Sequence, residues 1–312
     1  MPIKAKKKIL FVKNETTYGV DAVPVAATDA KLVHNFSCTP LEGVYEERDP
    51  ALPFFGNMGQ VKVGEFMRME YEIEATGAGG VATVPGFGVQ LRGCALAEVI
   101  TPTVGPVTYS PITSGEESET KYFYWDGLLH KMLGAMATAE LRISNGKRAM
   151  IHTAWMGLYG GITDVAMPVP VLTAFQKALG VNKANTTFSI HGFTGVLTAL
   201  TLTQGNNLVY RNAPNVEKIN FTGRKSKGSL TIELPTIAVK DFFAIIRAEP
   251  PTLGALTVTH GTAAGNKFIV NAANVRLLQP KYSEADDIAM LSMDMDIQPS
   301  ATGNDEWSFA TQ

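Results

Sequence analysis

Hydrophobic and polar residues alternate strictly at several places in the chain. Near the C-terminal end, Leu291, Met293, Met295 and Ile297 fall on one side and Ser292, Asp294 and Asp296 on the other. A period of two is that of a strand with one buried and one wet face. Met69, Tyr71 and Ile73 alternate in the same way with Glu70, Glu72 and Glu74, and Leu230, Ile232 and Leu234 repeat the pattern. Each of these two runs is followed by helical spacing. After the first, Pro85 opens a run with Phe87, Leu91, Cys94 and Ala95 on one stripe. After the second, Val239, Phe242, Phe243 and Ile246 recur at i, i+3, i+4 and i+7.

Turn signals place further strands. Asp126-Gly127 separates residues 121–125 from 128–133, and Asn145-Gly146 separates 140–143 from 148–158; both read as hairpins. Residues 188–190, 197–203, 216–221, 256–260 and 266–270 also read as strands. Three stretches lack a period. Residues 1–12, with Lys4, Lys6, Lys7 and Lys8, read as a basic arm, 14–31 as loop, and 39–64 as a long irregular section. Within that section Leu52, Phe54 and Phe55 have no element to bury them and suggest a docking loop.

The order of strands, alternating strand, helix, hairpin and closing strand occurs twice. Lys131 and Lys267, Ala137 and Ala273, Leu141 and Leu277, and Trp155 and Leu291 share an offset of 136. The expectation is a mainly β protein of two tandem similar β-sandwich or barrel domains, each with one packed α-helix. They would span residues 1–160 and 188–312, with 161–187 as a linker marked by Gly160, Gly161, Pro168 and Pro170.

Composition narrows the function classes. Charged residues make up 18% of the 312, and the net charge of −2 gives no electrostatic case for binding nucleic acid. Cys38 and Cys94 form no CxxC pair, so a disulfide scaffold or zinc site is not expected. The apolar run after the N-terminal lysines is too short for an export signal, and no stretch is long enough for a membrane span.

Chemical motifs fail on inspection. Gly77-x-Gly79-x-x-Ala82 has the shape of a dinucleotide fingerprint, but its strand alternates with glutamates and Val84-Pro85-Gly86 delays the helix. Asp294-x-Asp296 lacks the further ligands a metal needs, since Asp286 and Asp287 belong to a turn. The five histidines are scattered. Residues 121–125 are aromatic enough to stack bases, but an aromatic strand in a sheet core is the simpler reading. No catalytic, cofactor or metal site is expected.

The run from Met69 to Gly79, followed by Val84-Pro85-Gly86-Phe87-Gly88-Val89-Gln90-Leu91-Arg92-Gly93-Cys94-Ala95, resembles the major tail tube proteins of long-tailed bacteriophages. So do Thr39-Pro40-Leu41-Glu42-Gly43 and Glu47-Arg48-Asp49-Pro50. The resemblance covers residues 39–158 by sequence and the second half by layout. It implies a structural virion protein, assembled in the host bacterial cytoplasm, whose rings stack into a hollow tube that conducts viral DNA. Neighbouring subunits would complete a β-barrel, and a tape-measure protein would occupy the bore during assembly. Most members carry one such domain in hexameric rings, so a doubled chain implies a trimeric ring with pseudo-sixfold symmetry. On this reading Glu70, Glu72, Glu74, Asp294 and Asp296 face the lumen. Glu47, Arg48, Asp49, Leu52, Phe54 and Phe55 form the ring-to-ring contact. The alternative is a β-sandwich module that binds a host surface or sugar, with Phe54-Phe55 as its aromatic platform.

Overall fold

The computed structural model describes residues 2–312. In chain order β1 (Lys8–Asn14) and β2 (Ala30–Lys31) precede β3 (His34–Glu47) and β4 (Gln60–Glu74). A short helix, α1 (Gly88–Arg92), leads to β5 (Leu96–Ile100), β6 (Val107–Pro111), β7 (Glu119–Trp125), β8 (Leu128–Ser144) and β9 (Met150–Asp164). The second half holds β10 (Thr186–Ile190), β11 (Leu197–Thr203), β12 (Asn206–Ala213), β13 (Val216–Arg224) and β14 (Lys227–Glu233). After α2 (Phe242–Arg247) come β15 (Gly254–His260), β16 (Phe268–Ala285), β17 (Ile288–Ile297) and β18 (Ser308–Thr311).

The protein is mainly β, built on one large antiparallel sheet that does not close into a barrel. A row of eight strands runs through it in the order β3-β4-β9-β8-β11-β14-β17-β16. The alternation read from sequence decides which side of this row is buried. Met69, Tyr71, Ile73, Ile151, Trp155, Leu141, Leu200, Leu230, Leu291 and Met293 point into a single core shared by both halves. Phe87, Leu91, Tyr109, Phe123, Val258 and Phe309 close that core from other elements. At roughly 25 cal/mol per Å2 of apolar area removed from water, such a face makes any register slip costly, because a shift of one residue exposes it all.

The ladders of the two halves match pair by pair. Trp125 lies opposite Leu128 and Glu119 opposite Ala135; His260 lies opposite Phe268 and Gly254 opposite Val275. Thr138 faces Ala154, as Leu278 faces Asp294. Ile73 faces Ile151 and Ile232 faces Leu291; Leu10 faces Phe123 and Phe188 faces Val258. Leu128 to Phe268 and Ala135 to Val275 are steps of 140, as is Ile151 to Leu291, so the offset of 136 read from sequence identities is displaced by four residues. The identities at 136 are coincidental within two strands of similar composition.

Several expectations are corrected. The supposed basic arm contains β1, whose Leu10, Phe11 and Val12 are buried beside β7. The irregular section of residues 39–64 is mostly a projecting hairpin of β3 and β4, with residues 48–59 as its tip. Its many polar positions and register shifts hid the pairing. The first helix is only five residues long and gives way to β5, although Phe87, Leu91, Cys94 and Ala95 are buried as their stripe implied. In the second helical run only Phe242 is buried, while Val239 is exposed. The linker begins after Asp164, since β9 continues past residue 160. The halves are joined by the β8–β11 ladder, and β18 returns to pair with β6 of the first half.

The glycine-rich stretch has a packing role. The backbone of Gly77 approaches the turn at Gly265 and Asn266, where a Cβ would lie 2.3 Å from the Gly265 carbonyl oxygen. The Gly79 amide donates to that oxygen at 2.7 Å. These glycines let two backbones meet between the halves.

Candidate functional site

The side of the eight-strand row that faces away from the main core is largely polar, except where Phe66, Met136 and Met156 form a smaller core beneath the β12–β13 hairpin. Directly opposed residues on paired strands share a face. His34, Glu72, His152, Glu140, Thr203, Lys227, Asp296 and Arg276 follow one another across the row. Glu74, Arg142, Thr201, Ser229 and Asp294 belong to the next rank. All five carboxylates singled out from the sequence, Glu70, Glu72, Glu74, Asp294 and Asp296, therefore lie on one face.

That face is mixed in charge. Arg142 donates to Glu72 at 3.0 Å and to Glu140 at 2.6 Å. Arg148 pairs with Glu74, His34 lies 3.2 Å from Glu74, and His152 lies 3.8 Å from Glu70. Burial pushes the Glu140 carboxyl up, but hydrogen bonds from Arg142 and Thr203 hold it below the ordinary carboxylate range. Arg142 and Arg148 are thus engaged by carboxylates. The cations came from β8 and from the β8–β9 turn, and only the register brings them beside β4.

The other candidate residues sit at the hairpin tip. Phe54 is 62% exposed and Phe55 fully so, with Leu52 and, further down the arm, Tyr45, Val61 and Val63 also exposed. Glu47 ends β3, and Arg48 donates its amide to the Gly59 carbonyl across the tip. Asp49 is exposed beside them. The structure leaves this apolar tip uncovered and separates it from the polar face.

One buried charge pair carries no sequence signal, because Lys121 reads as the start of an aromatic strand and Glu119 lies just outside it. Both side chains are fully buried, 2.5 Å apart, and Lys121 lies over the Trp155 ring at 3.1 Å. Burial raises the Glu119 pKa and lowers that of Lys121 to about 8, against the opposing pull of each charge on the other. Lys121 also donates to the Tyr71 hydroxyl at 3.0 Å. Sealed in the core, the pair braces β7 against β4 and β9.

Two clefts lie on matched sites. One, of about 350 Å3, is lined by Lys6, Lys8, Lys31, Asn35 and Phe36. The other, of about 650 Å3, is lined by Asn145, Thr186, Phe188 and Leu197. Among the described residues no cluster of His, Cys, Asp and Glu is arranged to hold a metal, and no helix is long and apolar enough to cross a membrane. The arrangement is that of a large antiparallel sheet with one buried face and one charge-balanced face. No protein-family model matches the chain, and no curated protein matches it significantly.

Proposed function

We propose that this protein is the subunit of a phage-type tail tube. Copies would assemble into rings, the rings would stack, and DNA would pass through the bore. The observation that carries the reading is the eight-strand row with one buried face, one polar face and an open edge at each end. Such a row ends in unpaired backbone groups along β3 and along β16 beyond Val275, which a further copy can satisfy. The matched ladders support a duplicated subunit, and a duplicated subunit fits a trimeric ring of pseudo-sixfold symmetry. With strands ~4.8 Å apart and tilted about 40°, three such rows would enclose a wall roughly 50 Å across.

Passage of a polyanion requires a wall that does not hold it. Phosphate binding draws on free Lys and Arg that release counterions. On the polar face Arg142 and Arg148 are neutralised by Glu72, Glu140 and Glu74, and Lys227 and Arg276 lie on the strands to either side of Asp296. A charge-balanced wall serves transit as well as an acidic one would. The exposed tip with Leu52, Phe54 and Phe55 is then the ring-to-ring contact, while the tape-measure protein and viral DNA are transient occupants of the bore.

Negative-stain microscopy of the concentrated protein is expected to show rings or tubes, whereas dispersed monomers at every concentration would overturn the proposal. Glu72→Lys with Asp294→Lys should leave tubes intact but slow DNA ejection, because two further cations would line the bore and Arg142 would lose one of its carboxylate partners. The second reading, a β-sandwich binding module, draws on the cleft of about 650 Å3 beside Phe188. It would show saturable sugar or peptide binding by monomers.

A further inference from the structure

We infer that copies join by repeating, between chains, the ladder that joins the two halves within one chain: β16 of one copy pairs with β3 of a second. The inference rests on the reading of the protein as a duplicated, self-assembling subunit, and it specifies the edges and the register. Within the chain the halves meet where Glu140, Leu141 and Arg142 of β8 lie opposite Thr203, Leu202 and Thr201 of β11. The same places exist elsewhere in the fold. Leu141 lies opposite Ile151 of β9, and Tyr282 of β16 opposite Leu291 of β17. Thr203 lies opposite Lys227 of β14, and Thr39 of β3 opposite Arg68 of β4. Repeating the joint therefore sets Lys281 opposite Thr39, Tyr282 opposite Cys38, and Ser283 opposite Ser37 of the second copy.

Both edges are open. β15 covers that side of β16 only as far as Val275, and among the described residues β3 pairs with β4 alone. Exposure follows the same logic. Leu141 and Leu202 are fully buried at the intrachain joint. At the matched places Tyr282 is 68% exposed and Cys38 is half-buried. A large aromatic side chain on a bare strand edge is the sort of residue an interface covers.

The turn beyond the edge adds a second, independent sign. Within the chain the β8–β9 turn is seated in the second half: the Asn145 amide donates to the Thr198 carbonyl at 2.9 Å and the Gly146 amide to that of Val181 at 3.0 Å. Asn145 also lines the larger cleft, between β10 and β11. The corresponding β16–β17 turn carries Asp286 and Asp287, next to Glu284, and is exposed. The corresponding cleft, between β1 and β3, carries Lys6, Lys8 and Lys31. An acidic turn on one copy thus meets a basic groove on the next, a pairing that steers encounter and selects the register. Since the two patches differ, the contact is head-to-tail, and it makes a ring if the rotation closes.

The test uses the full chain and its native Cys38. Paired residues on antiparallel strands have Cα atoms about 4.5–5.5 Å apart, within the range a disulfide spans. Tyr282→Cys should give covalent dimers and larger species on oxidation, and Cys38→Ser in the same chain should abolish them. Ser283→Cys, whose side chain points to the other face, should not cross-link to Cys38. Rings seen by microscopy without any Tyr282→Cys cross-link would overturn this joint and leave the ring proposal standing. Neither rings nor cross-links would overturn both. Cross-linking equally strong from Ser283→Cys would refute the register.

Discussion

Leu141 and Tyr282 occupy matched positions on β8 and β16, yet Leu141 is fully buried and Tyr282 is 68% exposed. The strands beside them on one side are equivalent. What differs is the other side, where β11 lies beside Leu141 and, among the described residues, no strand pairs with Tyr282. A free strand edge is a liability that folded proteins manage, and here its partner is proposed to be the next copy. The comparison also separates edge from face. The hairpin of β12 and β13 rests on Met136, Met156 and Phe66, whereas Arg276 and Asp296 hold the places matching the two methionines. The far half therefore offers a strand to pair but no apolar seat for a covering hairpin.

The same substitution at the two matched places should give opposite outcomes. Leu141→Asp buries an unpaired charge in the core and should cost upwards of 4 kcal/mol, enough to prevent stable folding. Tyr282→Asp should leave the melting temperature of the monomer within about 2 °C of the parent while abolishing assembly. Calorimetry paired with light scattering separates the two effects, and loss of folding in Tyr282→Asp would break the comparison.

The interiors of the halves differ as well. Gly254 and Leu256 stand where the first half has Glu119 and Lys121. Lys121→Met alone strands a buried carboxylate and should cost about 3–5 kcal/mol in urea unfolding. Combined with Glu119→Leu, the loss should largely disappear, since an apolar pair replaces a desolvated one.

Smaller effects are expected at the turn. Asp286→Lys with Asp287→Lys should weaken association roughly tenfold, equivalent to about 1.4 kcal/mol, and the loss should shrink at high salt. Lys6→Asp with Lys8→Asp in the same chain should restore it. The mildest test concerns the intrachain joint, where the Thr203 hydroxyl donates to Glu140 at 2.9 Å. Glu140→Gln should cost about 1 kcal/mol or less. Because the folded pKa of Glu140 lies below its unfolded value, this contribution is present above the ordinary carboxylate range and is lost as pH falls through the folded pKa. Acid unfolding of Glu140→Gln should therefore converge on that of the parent.

Strands with a clean period of two, such as 291–297 and 69–73, were readable from sequence because one buried face imposes the alternation. The Asp126-Gly127 hairpin was readable because that dipeptide suits the left-handed turn, and Asp126 indeed has φ of 44°. The projecting hairpin was not, since a strand pair wet on both faces carries no period. Nor was β1, whose lysines disguised three buried residues. The five carboxylates were found by alternation, but their neutralising partners, Arg142 and Arg148, are neighbours only through register. The sparse identities at a spacing of 136 do not coincide with like places in the ladders, which pair Leu128 with Trp125 as they pair Phe268 with His260.

Hydrogen exchange of monomer and assembly, compared amide by amide, tests the shared joint most directly. Residues 140–144 of β8 and 199–203 of β11 should be slow in both states. Residues 281–283 of β16 and 37–39 of β3 should be fast in the monomer and become slow together on assembly. Assembled protein in which residues 281–283 and 37–39 still exchange at monomer rates would contradict the account.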